Sequence, residues 1–118
     1  MAKRAVIEIV RKYMETLLKN GFPVTGTVLY GSYARGEETP DSDIDVLVIS
    51  PLFDRDARAR IGKLWSLTRG VDIKIEPVPV GEKRFNTDNV SPLLEIARRE
   101  GVFLEAGKKN NKPVNKSV

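Results

Sequence analysis

"LYGSYARGEETPDSDIDVLVIS" occupies residues 29–50, and its second half sets the reading of the whole chain. Asp41, Asp43 and Asp45 run straight into a strand-like stretch, Ile44 to Ile49. Residues two apart on a strand share a face, so Asp43 and Asp45 point the same way, with Cα atoms roughly 6–7 Å apart. Their face continues as Leu47 and Ile49, while Ile44, Val46 and Val48 line the other. Such a strand is expected to be buried on both sides except where the two acids sit. An ionised carboxylate is costly to bury unless something positive pairs with it. The acids therefore face water or hold a cation, and oxygen-only ligands favour Mg²⁺ or Mn²⁺.

The first half of the stretch offers an anion cradle. In "GSYARG" (31–36), Gly31 lets the backbone approach closely, Ser32 brings a hydroxyl and an amide, and a following helical turn aims N–H groups at an anion. A Walker loop is excluded, because Glu37 and Glu38 stand where Lys and Ser/Thr belong. A calcium loop fails as well, since Val46 and Leu52 replace the required Gly and Glu. A phosphate cradle beside a metal-binding acid pair suggests a nucleoside triphosphate with its metal. A two-metal site usually takes a third carboxylate. Asp72 is the first candidate, at the start of the next strand; Glu76, against Pro77, is the alternative.

The rest of the chain bounds the chemistry. Its 118 residues, 41% hydrophobic, are enough for one core. The absence of cysteine excludes disulfide and thiol chemistry and fits a cytoplasmic location. The absence of histidine excludes a Ser-His-Asp triad and the usual zinc sets. No apolar run approaches the ~20 residues of a membrane span, and the charged start, "MAKRAVIEIV", is not that of a signal peptide. The net charge of +4 resides in the tail: Lys108, Lys109, Lys112 and Lys116, removed from 20 basic residues, leave 16 against 16 acids. Residues 1–106 are read as the folded domain and 107–118 as a flexible basic tail, poor in apolar groups. The near-neutral body argues against nucleic acid as a partner.

Apolar spacing predicts a helix over 3–20, a strand over 24–31, a short helical turn at 32–36 and the acid-led strand 44–49. A helix follows over 54–69, capped by Asp54 and burying Ile61, Leu64 and Trp65; then a strand over 71–78. Ser91-Pro92 starts a third helix, Gly101 ends it, and "VFLEA" adds a short strand. The fold class is α/β, in the α+β sense: a mixed sheet covered by helices.

"GSYARGEETPDSDIDVLV" resembles the signature of the minimal nucleotidyltransferases of the DNA polymerase β superfamily: Gly-Ser, Arg-Gly, then Ser-Asp-x-Asp entering a hydrophobic strand. The resemblance covers about twenty contiguous residues, and the downstream layout agrees with it. It implies the polymerase β-like nucleotidyltransferase fold and Mg²⁺-dependent transfer of a nucleoside monophosphate, AMP from ATP being the expected case, to a hydroxyl with release of pyrophosphate. Asp43, Asp45 and Asp72 would then be the catalytic and metal-binding acids for two ions. Gly31, Ser32, Arg35 and Ser42 would be the nucleotide-binding residues, with Arg35 either contacting phosphate or pairing with Glu37 or Asp41. Larger members carry an added domain that grips the acceptor, and nothing here could serve. Minimal members of the antitoxin type are paired with a helical HEPN protein, and some transfer AMP onto it. A HEPN-domain partner or a second copy of the chain is thus expected. The competing reading is a non-catalytic, antitoxin-like subunit that covers such a partner.

Overall fold

The structure is a computed structural model that describes residues 3–107 and the backbone of 111–113. The described elements are α1 (Lys3–Lys19), β1 (Gly26–Tyr30), α2 (Ser32–Arg35), β2 (Ile44–Ser50) and α3 (Phe53–Asp56). A 3-10 turn (Arg58–Arg60) leads to α4 (Ile61–Ser66), β3 (Ile75–Gly81), α5 (Glu82–Thr87), α6 (Pro92–Glu100), β4 (Val102–Glu105) and β5 (Asn111–Pro113). The strands form one mixed sheet in the order β3-β2-β1-β4-β5, antiparallel throughout except for the parallel β2–β3 pair. The expected mixed sheet covered by helices is the fold observed.

Strand β2 is buried on both faces, as its composition requires. Ile44, Val46 and Val48 join Val6, Val10, Tyr13 and Leu17 of α1 in the larger core cluster. Leu47 and Ile49 join Val28, Val80, Leu94 and Ala97 in a second cluster on the opposite face. The sheet thus has two apolar layers, and Asp45 lies at the end of the second.

Several expectations need correction. The helix expected over 54–69 is broken into α3, the 3-10 turn and α4. Two separate anchors bend it: Phe53 is buried under α3, and Leu64 is buried under α4. The Leu64 carbonyl, near the end of α4 and without an intrahelical partner there, accepts a hydrogen bond from the Tyr13 hydroxyl at 2.6 Å. A helix of one and a half turns reaches the core with one residue, so Ile61 and Trp65 stay outside.

Asp54 does not cap its own helix. Its carboxylate accepts from the amides of Lys83 and Arg84 and so caps α5, an element the sequence pattern does not announce. The strand expected at 71–78 begins later, at Ile75, because Val71 and Asp72 still donate to the Thr68 carbonyl and extend the turn after α4. Pro77 and Pro79 lie inside β3, where they are tolerated because β3 is an edge strand bonded only to β2. Within the expected flexible tail, Asn111–Pro113 forms β5 against Val102–Leu104, supplying a backbone partner to β4. The other tail residues beyond Gly107 lie outside the described residues.

Candidate functional site

The acid pair acquires its neighbours through strand register. Asp45 lies beside Tyr30 across the antiparallel β1–β2 pair and beside Glu76 across the parallel β2–β3 pair. In-register neighbours share a face, so Tyr30, Asp45 and Glu76 form a row across three strands. Asp43, two residues before Asp45, completes the cluster, and the Glu76 carboxyl hydrogen-bonds to it. Asp43 is exposed, and Asp45 and Glu76 are half-buried, at the margin of the second core layer.

The crowding changes the proton affinities. The hydrogen bond to Asp43, then desolvation, then the charges of Asp43 and Asp45 push Glu76 up to about 7. Burial and the Asp43 charge raise Asp45, partly offset by the Arg35 guanidinium. Burial and the charges of Asp45 and Glu76 push the Tyr30 phenol up to about 12, keeping it protonated. The donor set is chemically suited to a hard divalent cation: three oxygen ligands whose mutual repulsion a cation would relieve. Among the described residues no three acids stand in a ready-made metal cage, and Glu76 instead keeps its proton in a hydrogen bond to Asp43.

That proton predicts a pH dependence. The unfolded chain releases it near 4.5, while the folded chain holds it to about 7. The group therefore stabilises the fold below that window, and its contribution is lost as pH rises through it; the raised Asp45 acts in the same direction. Thermal melts in chelator should show Tm falling between pH about 4.5 and about 7. Glu76→Gln should flatten that fall, and an unchanged slope would place the responsible proton elsewhere.

The phosphate cradle is built on one glycine. Gly31, at φ +81°, turns the chain from β1 into α2, and a Cβ there would overlap the Asp45 carboxylate. Its carbonyl accepts from Ala34 and Arg35, while the first amides of a helix have no intrahelical acceptor. Among the described residues the Ser32 hydroxyl has no hydrogen-bond partner. Tyr33 and Ala34 are buried and fix the turn in place.

Each expected site residue can now be placed. Gly31, Ser32, Asp43 and Asp45 come together at one end of β1 and β2. Arg35 is committed to Glu37 and Glu100, each at 2.9 Å, so it ties α2 to the end of α6 and does not pair with Asp41. Its charge still acts on Asp45. The Ser42 hydroxyl accepts from the Thr39 amide at 2.8 Å and so shapes the turn ahead of the acids. Asp72 is not brought to the pair: its carboxylate accepts from the Lys74 amide at 2.9 Å, in the turn before β3. Glu76 takes the place expected for Asp72. The signal for it was the period-two run Glu76, Val78, Val80, which the two prolines obscured.

Comparison with known proteins gives the family and the fold. The profile of the nucleotidyltransferase domain family matches residues 7–100. Several Methanocaldococcus jannaschii proteins named "Putative protein adenylyltransferase" are similar to this chain. One is 51% identical over 41 residues, which are 35% of this chain and 40% of that protein. Another is 32% identical over 80 residues, 62% of this chain and 77% of that protein. Among solved structures, a "putative nucleotidyltransferase" from Sulfolobus solfataricus superposes with a TM-score of 0.61 at 14% identity. It covers 86% of this chain and 80% of that one, a likeness of fold.

Proposed function

Because this chain belongs to the nucleotidyltransferase domain family, we propose that it transfers AMP from ATP to a hydroxyl on a protein partner, with release of pyrophosphate. The observation that carries this reading is the meeting of Asp43, Asp45 and Glu76 beside the Gly31-Ser32 turn. The acceptor assignment is supported by the relatives named as protein adenylyltransferases, although the matched segment spans 40% of the first of them. The partner presents its own hydroxyl to the site; a HEPN-domain protein is the proposed partner, in the cytoplasm.

In this mechanism Asp43, Asp45 and Glu76 would hold Mg²⁺, two ions, with Mn²⁺ as a substitute. Bound there, the metal supplies positive charge to the phosphorus oxygens and the leaving pyrophosphate. The backbone amide and hydroxyl of Ser32 face the triphosphate, and Gly31 keeps the backbone close enough to reach it. The acceptor oxygen bonds to the α-phosphorus as the bond to the bridging oxygen breaks, and the hydroxyl proton passes to the nearest carboxylate oxygen of the cluster. The closeness of three carboxylates argues against a purely binding role, which would have no use for their repulsion.

The direct test is incubation with α-labelled ATP, Mg²⁺ and the product of the neighbouring reading frame. Label should appear on protein with α-labelled but not γ-labelled ATP. Equal ATP affinity in Mg²⁺ and in chelator, together with no transfer, would sink the reading. Ser32→Ala should weaken nucleotide binding by about 1–3 kcal/mol, the scale of a hydrogen bond to a charged group. Calorimetry giving an unchanged Kd would remove Ser32 from the site.

A further inference from the structure

The segment 55–69 carries charge that the fold leaves unanswered. Arg55, Arg58, Arg60 and Arg69 are exposed, and among the described residues none has a carboxylate or carbonyl partner for its side chain. Arginines elsewhere are engaged. Arg11, Arg35, Arg84 and Arg99 pair with acids, and Arg98 donates to the Phe85 carbonyl; Arg4, on the first turn of α1, is the exception. The two acids within reach along the chain are spent on backbone amides, Asp54 on α5 and Asp56 on the Ala59 amide. Both keep their charge, yet residues 55–69 carry five basic side chains, Arg55, Arg58, Arg60, Lys63 and Arg69, against one acid, Asp56, so the segment is strongly positive.

Between these arginines α4 exposes two large apolar side chains. Ile61 is 41% and Trp65 44% exposed, one helical turn apart, while Leu64 faces the core. An exposed apolar pair flanked along the chain by arginines without acid partners has the composition of a docking surface with a polar rim. We propose that the α3–α4 segment docks an acidic, amphipathic segment of a partner protein, whose apolar side chains seat on Ile61 and Trp65 while its carboxylates meet the arginines.

Charge selects this occupant over the others. A second copy using the same face in a two-fold dimer would set the arginines against themselves. Nucleic acid would find Trp65 to stack on, but Ile61 would gain no partner, and the body as a whole, this segment included, has 16 basic residues against 16 acidic. Through Leu64, α4 belongs to the larger core layer, on the face of the sheet opposite Asp45. A partner docked on α4 would therefore leave the carboxylates open, and docking is measurable without nucleotide. The failure of this proposal is thus distinguishable from failure of the transfer reading.

Trp65 is the sole tryptophan, so its fluorescence reports this surface directly. The probe is a fluorescein-labelled synthetic helix with leucines four residues apart and glutamate elsewhere. Binding should raise its anisotropy and shift Trp65 emission to the blue, and affinity should fall as salt is added. Trp65→Ala should weaken binding about tenfold or more, as for a central aromatic anchor. The exposed pair Arg58→Glu/Arg60→Glu should do likewise with an unchanged circular dichroism spectrum. The same helix with lysine for glutamate should not bind. The proposal is overturned if the acidic helix fails to bind, if a single-stranded oligonucleotide binds in its place, or if sedimentation shows a dimer that Trp65→Ala dissolves.

Discussion

Asp45→Asn should lower nucleotidyl transfer about a thousandfold while leaving the protein folded. A metal-held phosphoryl site contributes several kcal/mol of transition-state stabilisation, and each 1.36 kcal/mol is tenfold in rate. Asp45 is the member of the cluster with neighbours on both sides, Tyr30 and Glu76, so its loss leaves the other acids without their central partner. The same substitution should not harm the metal-free fold. Asp45 is raised by burial and by the Asp43 charge, which means that its ionised form is a cost to the folded state. In chelator the variant should melt at or above the wild-type temperature, and the added stability given by Mg²⁺ with ATP should disappear. Asp41→Asn is the control, because Asp41 is exposed in the turn ahead of the strand. A variant that is destabilised in chelator yet still stabilised by Mg²⁺ with ATP would show that the carboxylate is structural.

Gly31→Ala should be the second largest effect, and it should strike fold and function together. At φ +81° and ψ −155° Gly31 occupies a region essentially reserved for glycine, so a side chain there carries a backbone cost of about 1–3 kcal/mol. The new Cβ would also overlap the Asp45 carboxylate, so the carboxylate must turn away or β1 and β2 must part. Denaturation should show a loss of at least that size, and transfer should fall even at temperatures where the variant is fully folded. Gly36→Ala separates the two causes. Gly36 also has a positive φ, +73°, but in the left-handed helical region at ψ +25°, which costs a side chain less, and nothing stands within 4 Å of its Cβ position. It should be destabilised by the backbone term alone and retain activity. Equal loss of activity in both variants would remove the Asp45 contact from the explanation.

Much of the fold was legible because it rests on local chemistry. The burial of α1 follows from apolar spacing, the start of α6 from Ser91-Pro92, and the Ser91 hydroxyl accepts from the Leu94 amide as an N-cap should. Alternation along β2 placed Leu47 and Ile49 on one core and Ile44, Val46 and Val48 on the other. The pair Asp43/Asp45 and the Gly31-Ser32 turn were likewise readable, since two-residue spacing on a strand and a glycine before a helical turn are properties of contiguous residues.

What escaped was set between distant segments. The cap of α5 comes from Asp54, 29 residues before Lys83, so no local signal marks that helix. The exposure of Trp65 depends on where Tyr13 and Leu64 anchor α4, 51 residues apart in sequence. Arg35 is claimed by Glu100, which folding brings to it from 65 residues away. The third carboxylate is the clearest case. Both Asp72 and Glu76 sit in an alternating stretch, and only the parallel register of β2 with β3 sets Glu76, rather than Asp72, beside Asp45. Sequence alone determined which side chains share a strand face, because that follows from the pleat. Tertiary structure decided which strands meet and at what offset, because register is fixed by the whole buried surface and not by any one segment.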